Sequence, residues 1–168
     1  MIKTIEDIYT ESTPLVEIFN AFAIKHNLIG RAVADHISHK CDSKESFESI
    51  RAILELESEY IYQSIIAGRR IDLIRFKKPI STVLGDIKFL ELSDQKPNGT
   101  QVNGFDHIEV YPLTFSYDEM IVELEKEENV IKVERPHHTT HDIKIGKRFI
   151  FRCTLCSLVE KIKREEMI

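Results

Sequence analysis

An α+β fold built from two β-α-β-β-β modules is what this 168-residue sequence predicts. Two observations carry the prediction. Ala34-Asp35-His36-Ile37-Ser38 and Asp106-His107-Ile108-Glu109 share an Asp-His-Ile core, displaced by 71 positions from His36 to His107. Each copy also opens the same series, in which a strand-like segment is followed by a helix-like segment and three more strand-like ones. That is the pattern of one structural unit used twice. Each histidine then stands at the same point of its copy, and a pseudo-two-fold relation would bring both to one site.

The elements follow in order. Thr13-Pro14 reads as an N-cap followed by proline at the first helical position, where its missing N–H costs nothing. Leu15, Ile18, Phe19 and Phe22 continue at helical spacing to about His26, a helix expected on the outside of the sheet. Residues 1–31 thus form an N-terminal helical segment, broken from the rest at Gly30-Arg31.

The first module spans residues 32–93. It begins with a strand over Asp35–Cys41, then a helix capped by Ser43 with Phe47, Ile50 and Leu54 on one face. Strands over Tyr60–Ile66 and Ile71–Phe76 turn at Gly68-Arg69, and Thr82–Leu92 completes the set, with Gly85-Asp86 as a bulge or turn. Residues 94–104 carry Pro97-Asn98-Gly99 and Asn103-Gly104, the chemistry of a linker.

The second module, residues 105–156, opens with the strand from Phe105. Ser116 and Glu119 match a capping box, and Met120, Ile121 and Leu124 give that helix its buried face. Val130–Val133, His141–Ile145 and Arg148–Thr154 are its strands, the last two turning at Gly146-Lys147. Ser157 and Glu160 repeat the capping pattern and start a C-terminal helix over residues 157–168. The whole chain is expected to form a single domain.

Composition narrows the function classes. Hydrophobic residues make up 42% and charged residues 30%, with a net charge of −5, ordinary values for a globular protein. The acidic balance, and the lack of basic clusters beyond Arg69-Arg70 and Lys77-Lys78, argue against a nucleic-acid partner. No apolar run approaches the ~18 residues of a membrane span, and the first residues lack the pattern of a signal peptide. Three cysteines make no disulfide framework, so the expected location is the cytoplasm.

With both modules placed, the sequence resembles the vicinal oxygen chelate superfamily, which includes glyoxalases, bleomycin-resistance proteins and dioxygenases, and within it the YecM-like proteins. The resemblance rests on Ala34-Asp35-His36-Ile37-Ser38, on Glu91-Leu92 within Phe89-Leu90-Glu91-Leu92-Ser93, and on Asp106-His107-Ile108-Glu109. Gly68-Arg69 and the segment from Ser157 to Ile162 are similar too. It covers nearly the whole chain, through short motifs whose specificity lies in their order and spacing. It implies two βαβββ modules forming an open, cupped β-barrel around a divalent metal. The metal ligands it implies are His36 and His107 from the first strands and Glu91 from a last strand. The fourth position falls near Arg152 to Thr154, where this sequence has no carboxylate or histidine.

Two imidazoles and a carboxylate suit a borderline divalent ion such as zinc, nickel, manganese or iron. A bound ion of this kind polarises a substrate oxygen or acidifies a water. The structural reading of a strand histidine is a hydrogen-bonded core or rim residue. His107, Glu109 and Tyr111 share a strand face, which makes Glu109 the candidate catalytic residue as a general base. It also fits a fourth ligand or an acceptor that orients an imidazole; a salt bridge to Arg152 across the sheet is its structural reading.

His137, His138 and His141 form a cluster after Pro136. His141 shares parity with Ile143 and Ile145, so it is expected to face inward; the cluster reads as a polar rim or a reserve of ligands. Cys153 and Cys156 form a lone C-x-x-C, read as chance spacing. Arg69, Arg70 and Arg75 either line the cup and favour an anionic substrate or lie on solvated strand faces.

The leading functional expectation is a metal-dependent enzyme of the vicinal oxygen chelate type acting on a small oxygen-rich molecule. Isomerase, lyase and oxygenase chemistry all stay open. The alternative is a metal-free small-molecule-binding protein using the same cup. A third reading is an interaction protein that docks through Leu158 and Ile162 of the last helix. Some superfamily members exchange modules between two chains, so a homodimer is among the implied assemblies.

Overall fold

The computed structural model describes residues 1–135 and 138–166. Four helices and eight strands follow in the order α1 (Ile5–Lys25), β1 (Ala32–Lys40), α2 (Lys44–Glu57), β2 (Ser58–Ile66), β3 (Arg69–Thr82), β4 (Gly85–Ser93), β5 (Gly104–Pro112), α3 (Tyr117–Glu125), β6 (Ile131–Glu134), β7 (Thr139–Lys144), β8 (Ile150–Cys153) and α4 (Leu158–Glu166). β-α-β-β-β therefore occurs twice, from β1 and again from β5. The strands form one mixed sheet ordered β2-β3-β4-β1-β5-β8-β7-β6. The α+β class and the open, unclosed sheet agree with the fold expected from the sequence.

The two halves meet at β1 and β5, which pair antiparallel. Each first strand then pairs in parallel with the last strand of its own half, β1 with β4 and β5 with β8. One sheet face is covered by helices. Ile37, Ile74, Leu90, Leu92, Ile108, Val110 and Phe151 are buried there with Phe19 and Phe22 of α1, Phe47, Ile50 and Leu54 of α2, and Met120 and Leu124 of α3. Phe19 and Phe22 hold α1 to the sheet by packing on the Phe151 ring, with centroids 5.4 Å and 4.7 Å apart. The other face is concave and polar. Among the described residues, no helix is long and apolar enough to cross a membrane.

Several boundaries differ from the sequence expectation. The first helix starts at Ile5, capped by Thr4 and Asp7 in a capping box, and runs through Pro14. The Thr13-Pro14 signal was outweighed by a complete cap nine residues earlier and by buried Ile8 and Ser12 ahead of the proline. β3 extends to Thr82, and the next turn lies at Val83-Leu84, so Gly85 (φ +99°) opens β4. The turn before β3 is at Ala67 (φ +51°) and Gly68 (φ +75°), the paired positive φ of a tight primed hairpin turn. The caps at Ser43 and Ser116 form as their spacing predicts, the latter a full box with Glu119. Ser157 and Glu160 also exchange hydrogen bonds ahead of α4.

Candidate metal centre and cavity

The site begins with two β-bulges. Along β1–β5, the register moves from Ala34↔Val110 to His36↔Glu109 and from Ser38↔His107 to His39↔Phe105. The extra residues are therefore Asp35 on β1 and Asp106 on β5, the aspartates of the repeated Asp-His-Ile. A bulge re-aims a side chain that strict alternation would send to the opposite face. Here it lets each carboxylate reach its neighbour's ring: Asp35 Oδ2 lies 2.8 Å from His36 Nδ1, and Asp106 Oδ2 lies 2.7 Å from His107 Nδ1. A carboxylate accepts, so each Nδ1 donates and each ring's lone pair falls on Nε2; that of His36 has no hydrogen-bond partner, while that of His107 faces Arg152 Nη1 at 3.1 Å.

Those Nε2 atoms converge. His36, Glu91 and His107 each offer a ligand atom within 4.8 Å of the others. His36 Nε2 is 3.8 Å from Glu91 Oε2 and 3.6 Å from Glu109 Oε2, while His107 Nε2 is 3.9 Å from Glu109 Oε2. Both carboxylates are held by their second oxygen. Glu91 Oε1 accepts from Ser38 Oγ at 3.0 Å, and Glu109 Oε1 is paired with Lys161 of α4. The remaining oxygens face the imidazoles at distances too long for hydrogen bonds. His36 Nε2 is buried and has no hydrogen-bond partner. An orphaned imidazole nitrogen facing carboxylate oxygens, at separations close to two bonds of ~2.1 Å, fits a divalent ion.

At the site the two halves differ at two paired positions. Ser38 pairs with Glu91 on β4, and its counterpart Glu109 pairs with Arg152 on β8. Arg152 therefore stands where the second half would repeat Glu91, and the second half's carboxylate sits one strand over, at the position of Ser38. Arg152 donates through Nε and Nη2 to Asp142 at 2.8 Å each, and its Nη1 lies 3.1 Å from both ring nitrogens of His107. The expected bridge from Glu109 to Arg152 is thus replaced by two separate pairs, Glu109–Lys161 and Arg152–Asp142.

The electrostatics follow from these neighbours. Burial opposes a charged His36, but Glu109, Asp35 and Glu91 outweigh it and raise its pKa to about 9. Burial and the Arg152 guanidinium lower that of His107, against the pull of Asp106. Burial favours a protonated Glu109, yet His36 and Lys161 hold its carboxyl well below the usual range. The same contest against burial, won by His36 and His107, leaves Glu91 lowered.

Above the cluster, the concave face lines a cavity of about 450 Å³, in the size range of small-molecule sites. Ile71 and Leu73 of β3 form part of its wall, Glu91, His107 and Glu109 its polar floor, and Leu158 and Ile162 of α4 its cover. Of the three arginines expected in the cup, Arg69 is among the lining residues, whereas Arg70 pairs with Glu48 and Asp94. His138 lines the cavity, and His137 lies outside the described residues. His141 does share parity with buried Ile143, but that face is the helix-covered one. Its Nδ1 meets the Tyr117 hydroxyl at 2.7 Å, away from the cluster. Cys153 is buried, Cys156 is half-buried, and both are free thiols.

Sequence reasoning missed Lys161, Asp142 and the role of the two aspartates. Only the aspartates left a signal, because they belong to the repeat itself.

Fold and site together define an α+β protein with a duplicated βαβββ unit and a His/Glu cluster on the seam between the copies. A family model described as YecM protein matches residues 6–148, and the chain belongs to that family. A solved structure described as "Structural Genomics, Protein EC4020" is similar with a TM-score of 0.70 at 20% identity, covering 98% of each chain. Methylmalonyl-CoA epimerase from Streptomyces coelicolor, solved as a single-substitution variant in complex with 2-nitronate-propionyl-CoA, gives a TM-score of 0.45 at 15% identity, over 74% of this chain and 98% of that one. None of the curated proteins is similar enough to count as a match.

Proposed function

We propose that this protein holds a divalent ion through His36, Glu91 and His107 and presents it to a small oxygen-rich molecule in the cavity, as an enzyme of the vicinal oxygen chelate type. The observation that carries this reading is the buried, unpartnered Nε2 of His36 facing two carboxylate oxygens. Zinc, nickel, manganese and ferrous iron all suit the donor set. Such an ion polarises a substrate oxygen or acidifies a bound water.

The chain's own residues divide the remaining work. Asp35 and Asp106 fix the ring orientations through Nδ1. Arg152 keeps His107 neutral, the form that ligates. Glu109 supplies the fourth ligand: its Oε1 is held by Lys161, its Oε2 faces both imidazoles, and its low pKa suits ligation better than proton abstraction, which works best near the operating pH. Leu158 and Ile162 exclude water above the floor.

Metal content of untagged protein, measured by plasma mass spectrometry beside His36→Ala and His107→Ala, tests the reading. About one ion per chain, lost in both variants, is expected, with a melting temperature that falls on metal removal because ligation couples to folding. No ion after reconstitution with each of the four metals would end it. One observation favours a second reading, a metal-free binding protein: Arg152 occupies the counterpart of Glu91. In that case the raised pKa of His36 means that a proton takes the place of the ion among the carboxylates.

A further inference from the structure

The cavity is cationic in a protein that carries a net charge of −5. Lys40, Arg69, Lys96, Arg135, Arg152 and Lys161 line it, against Glu91 and Glu109. Three of these cations are committed to a carboxylate: Lys40 to Asp106 at 2.8 Å, Arg152 to Asp142, and Lys161 to Glu109. Arg135 reaches Asp142 only at 3.8 Å and otherwise donates to Thr140. Arg69 and Lys96 have no carboxylate partner among the described residues. A half-buried guanidinium with no carboxylate in contact is costly unless something compensates it; Glu91, Asp106 and Asp94 act on Arg69 only from a distance, and its Nε is buried with no hydrogen-bond partner.

The surroundings hold Arg69 in place. It is the first residue of β3, after the tight turn at Ala67-Gly68. A Cβ on Gly68 would stand 3.3 Å from Pro97 Cγ, so the turn packs directly on the linker and sets Arg69 and Lys96 around the same end of the cavity. Arg69 Nη1 donates to the Gln101 side-chain oxygen. Gln101 is itself buried, and its amide donates to the carbonyls of Cys41 at 2.7 Å and Asp94 at 2.9 Å, tying the arginine to the ends of β1 and β4. Leu73 pairs with Glu91, and Arg69 precedes it by four residues, roughly 13 Å along the strand.

We propose that the ligand of this cavity carries an anionic group, a carboxylate or a phosphate, which binds between Arg69 and Lys96 at the linker end while the rest of the molecule extends toward the His36–Glu91–His107 cluster. An oriented arginine beside a lysine matches either group. Only the second half of this statement rests on the metal reading above; the anion site stands on its own residues.

The test uses full-length apoprotein, stripped of metal and then freed of chelator. Inorganic phosphate and glutarate are titrated separately by calorimetry. Saturable binding of one anion per chain is expected, weakened about tenfold in Arg69→Gln, as for loss of a charge-assisted contact, and severalfold in Lys96→Gln. Lys132→Gln, which removes an exposed cation of β6 paired with Glu134 of the same strand, should leave affinity unchanged. The tighter of the two probes then assigns the group as phosphate ester or organic acid.

Equal weakening in all three variants, or no saturable binding of either probe up to about 10 mM, would overturn the proposal. Lys96 is exposed, so Lys96→Gln decides the matter even if Arg69→Gln fails to fold. Because no metal is present, failure here leaves the metal reading untouched, and absence of metal in the earlier experiment leaves this result untouched.

Discussion

Ile37 and Ile108 face each other across β1 and β5, and they are related by the same 71-position shift that relates His36 to His107. A residue that pairs with its own repeat partner marks the pseudo-two-fold axis, which therefore passes between these two isoleucines. On either side, His36 pairs with Glu109 and Ser38 with His107, so the axis delivers both histidines to the concave face. Both isoleucines are fully buried on the opposite face, where they pack the seam of the two halves against the helices. Replacing either with alanine should cost ~2–5 kcal/mol, with similar losses at the two positions. Their double variant should lose less than the sum, since contacting residues couple. Urea unfolding of the three variants measures this; a large loss at one position and none at the other would refute an equivalent seam.

The bulged aspartates should act first on the imidazole rings beside them. Asp106→Asn removes the charge that orients the His107 Nδ1–H, and an imidazole deprived of such a partner typically loses roughly 10- to 100-fold in metal affinity. Competition with a chromophoric chelator reads the affinity, and a circular dichroism spectrum checks the fold. Unchanged affinity in a folded variant would show that His107 does not ligate. Asp35→Asn should add a second effect, because Asp35 Oδ2 also accepts from the backbone N–H of Leu158 at 2.9 Å and so anchors the start of α4.

Much of this arrangement was legible in the sequence, for reasons tied to particular residues. The Asp-His-Ile repeat exposed the duplication, and Ser43, Ser116 and Ser157 marked helix starts because a capping hydroxyl is a local device read within three residues. Glu91, His36 and His107 could be nominated together only through a family resemblance, since nothing local to β4 shows that it pairs with β1 in parallel. Long-range partners were not readable. Lys161 lies 52 positions from Glu109 and Asp142 lies 10 from Arg152, and charge type alone does not choose between Arg152 and Lys161 as the partner of Glu109. His141 illustrates a different limit: its parity with Ile143 is correct, but alternation does not say which face carries the helices.

His39 makes stability depend on pH. It is 1% exposed, packs edge-on against Phe105 with ring centroids 5.0 Å apart, and its Nδ1 has no partner. Burial lowers its pKa to about 4, against weaker opposing pulls from Glu11 and Asp42. The folded state therefore keeps His39 neutral, whereas the unfolded chain binds a proton below about 6.5. Its contribution is nil well above that value and becomes a growing penalty as pH falls from about 6.5 toward 4. By about pH 5 the penalty is about 2 kcal/mol. His39→Leu should flatten the acid side of the stability profile by that amount, as measured by denaturant midpoints at several pH values. A profile as steep as that of the unmodified protein would place the titrating group elsewhere.

Lys161 ties the cover of the cavity to its floor. Its ammonium pairs with Glu109, and the helix is also fastened at its first turn by the Leu158–Asp35 hydrogen bond. Breaking a buried ion pair by removing one partner typically costs ~3–5 kcal/mol. Here the loss should fall on the helix alone, because among the described residues α4 contributes none to the buried core between the other helices and the sheet. Lys161→Met should therefore speed hydrogen exchange across residues 158–166 while leaving the amides of β1 and β5 protected, since local openings and global unfolding are separable. The same variant leaves Glu109 Oε1 without its holding contact, so metal affinity should fall as well. Faster exchange throughout the sheet would mean that α4 is part of the cooperative core, and unchanged exchange in α4 would mean that the pair does not hold the cover.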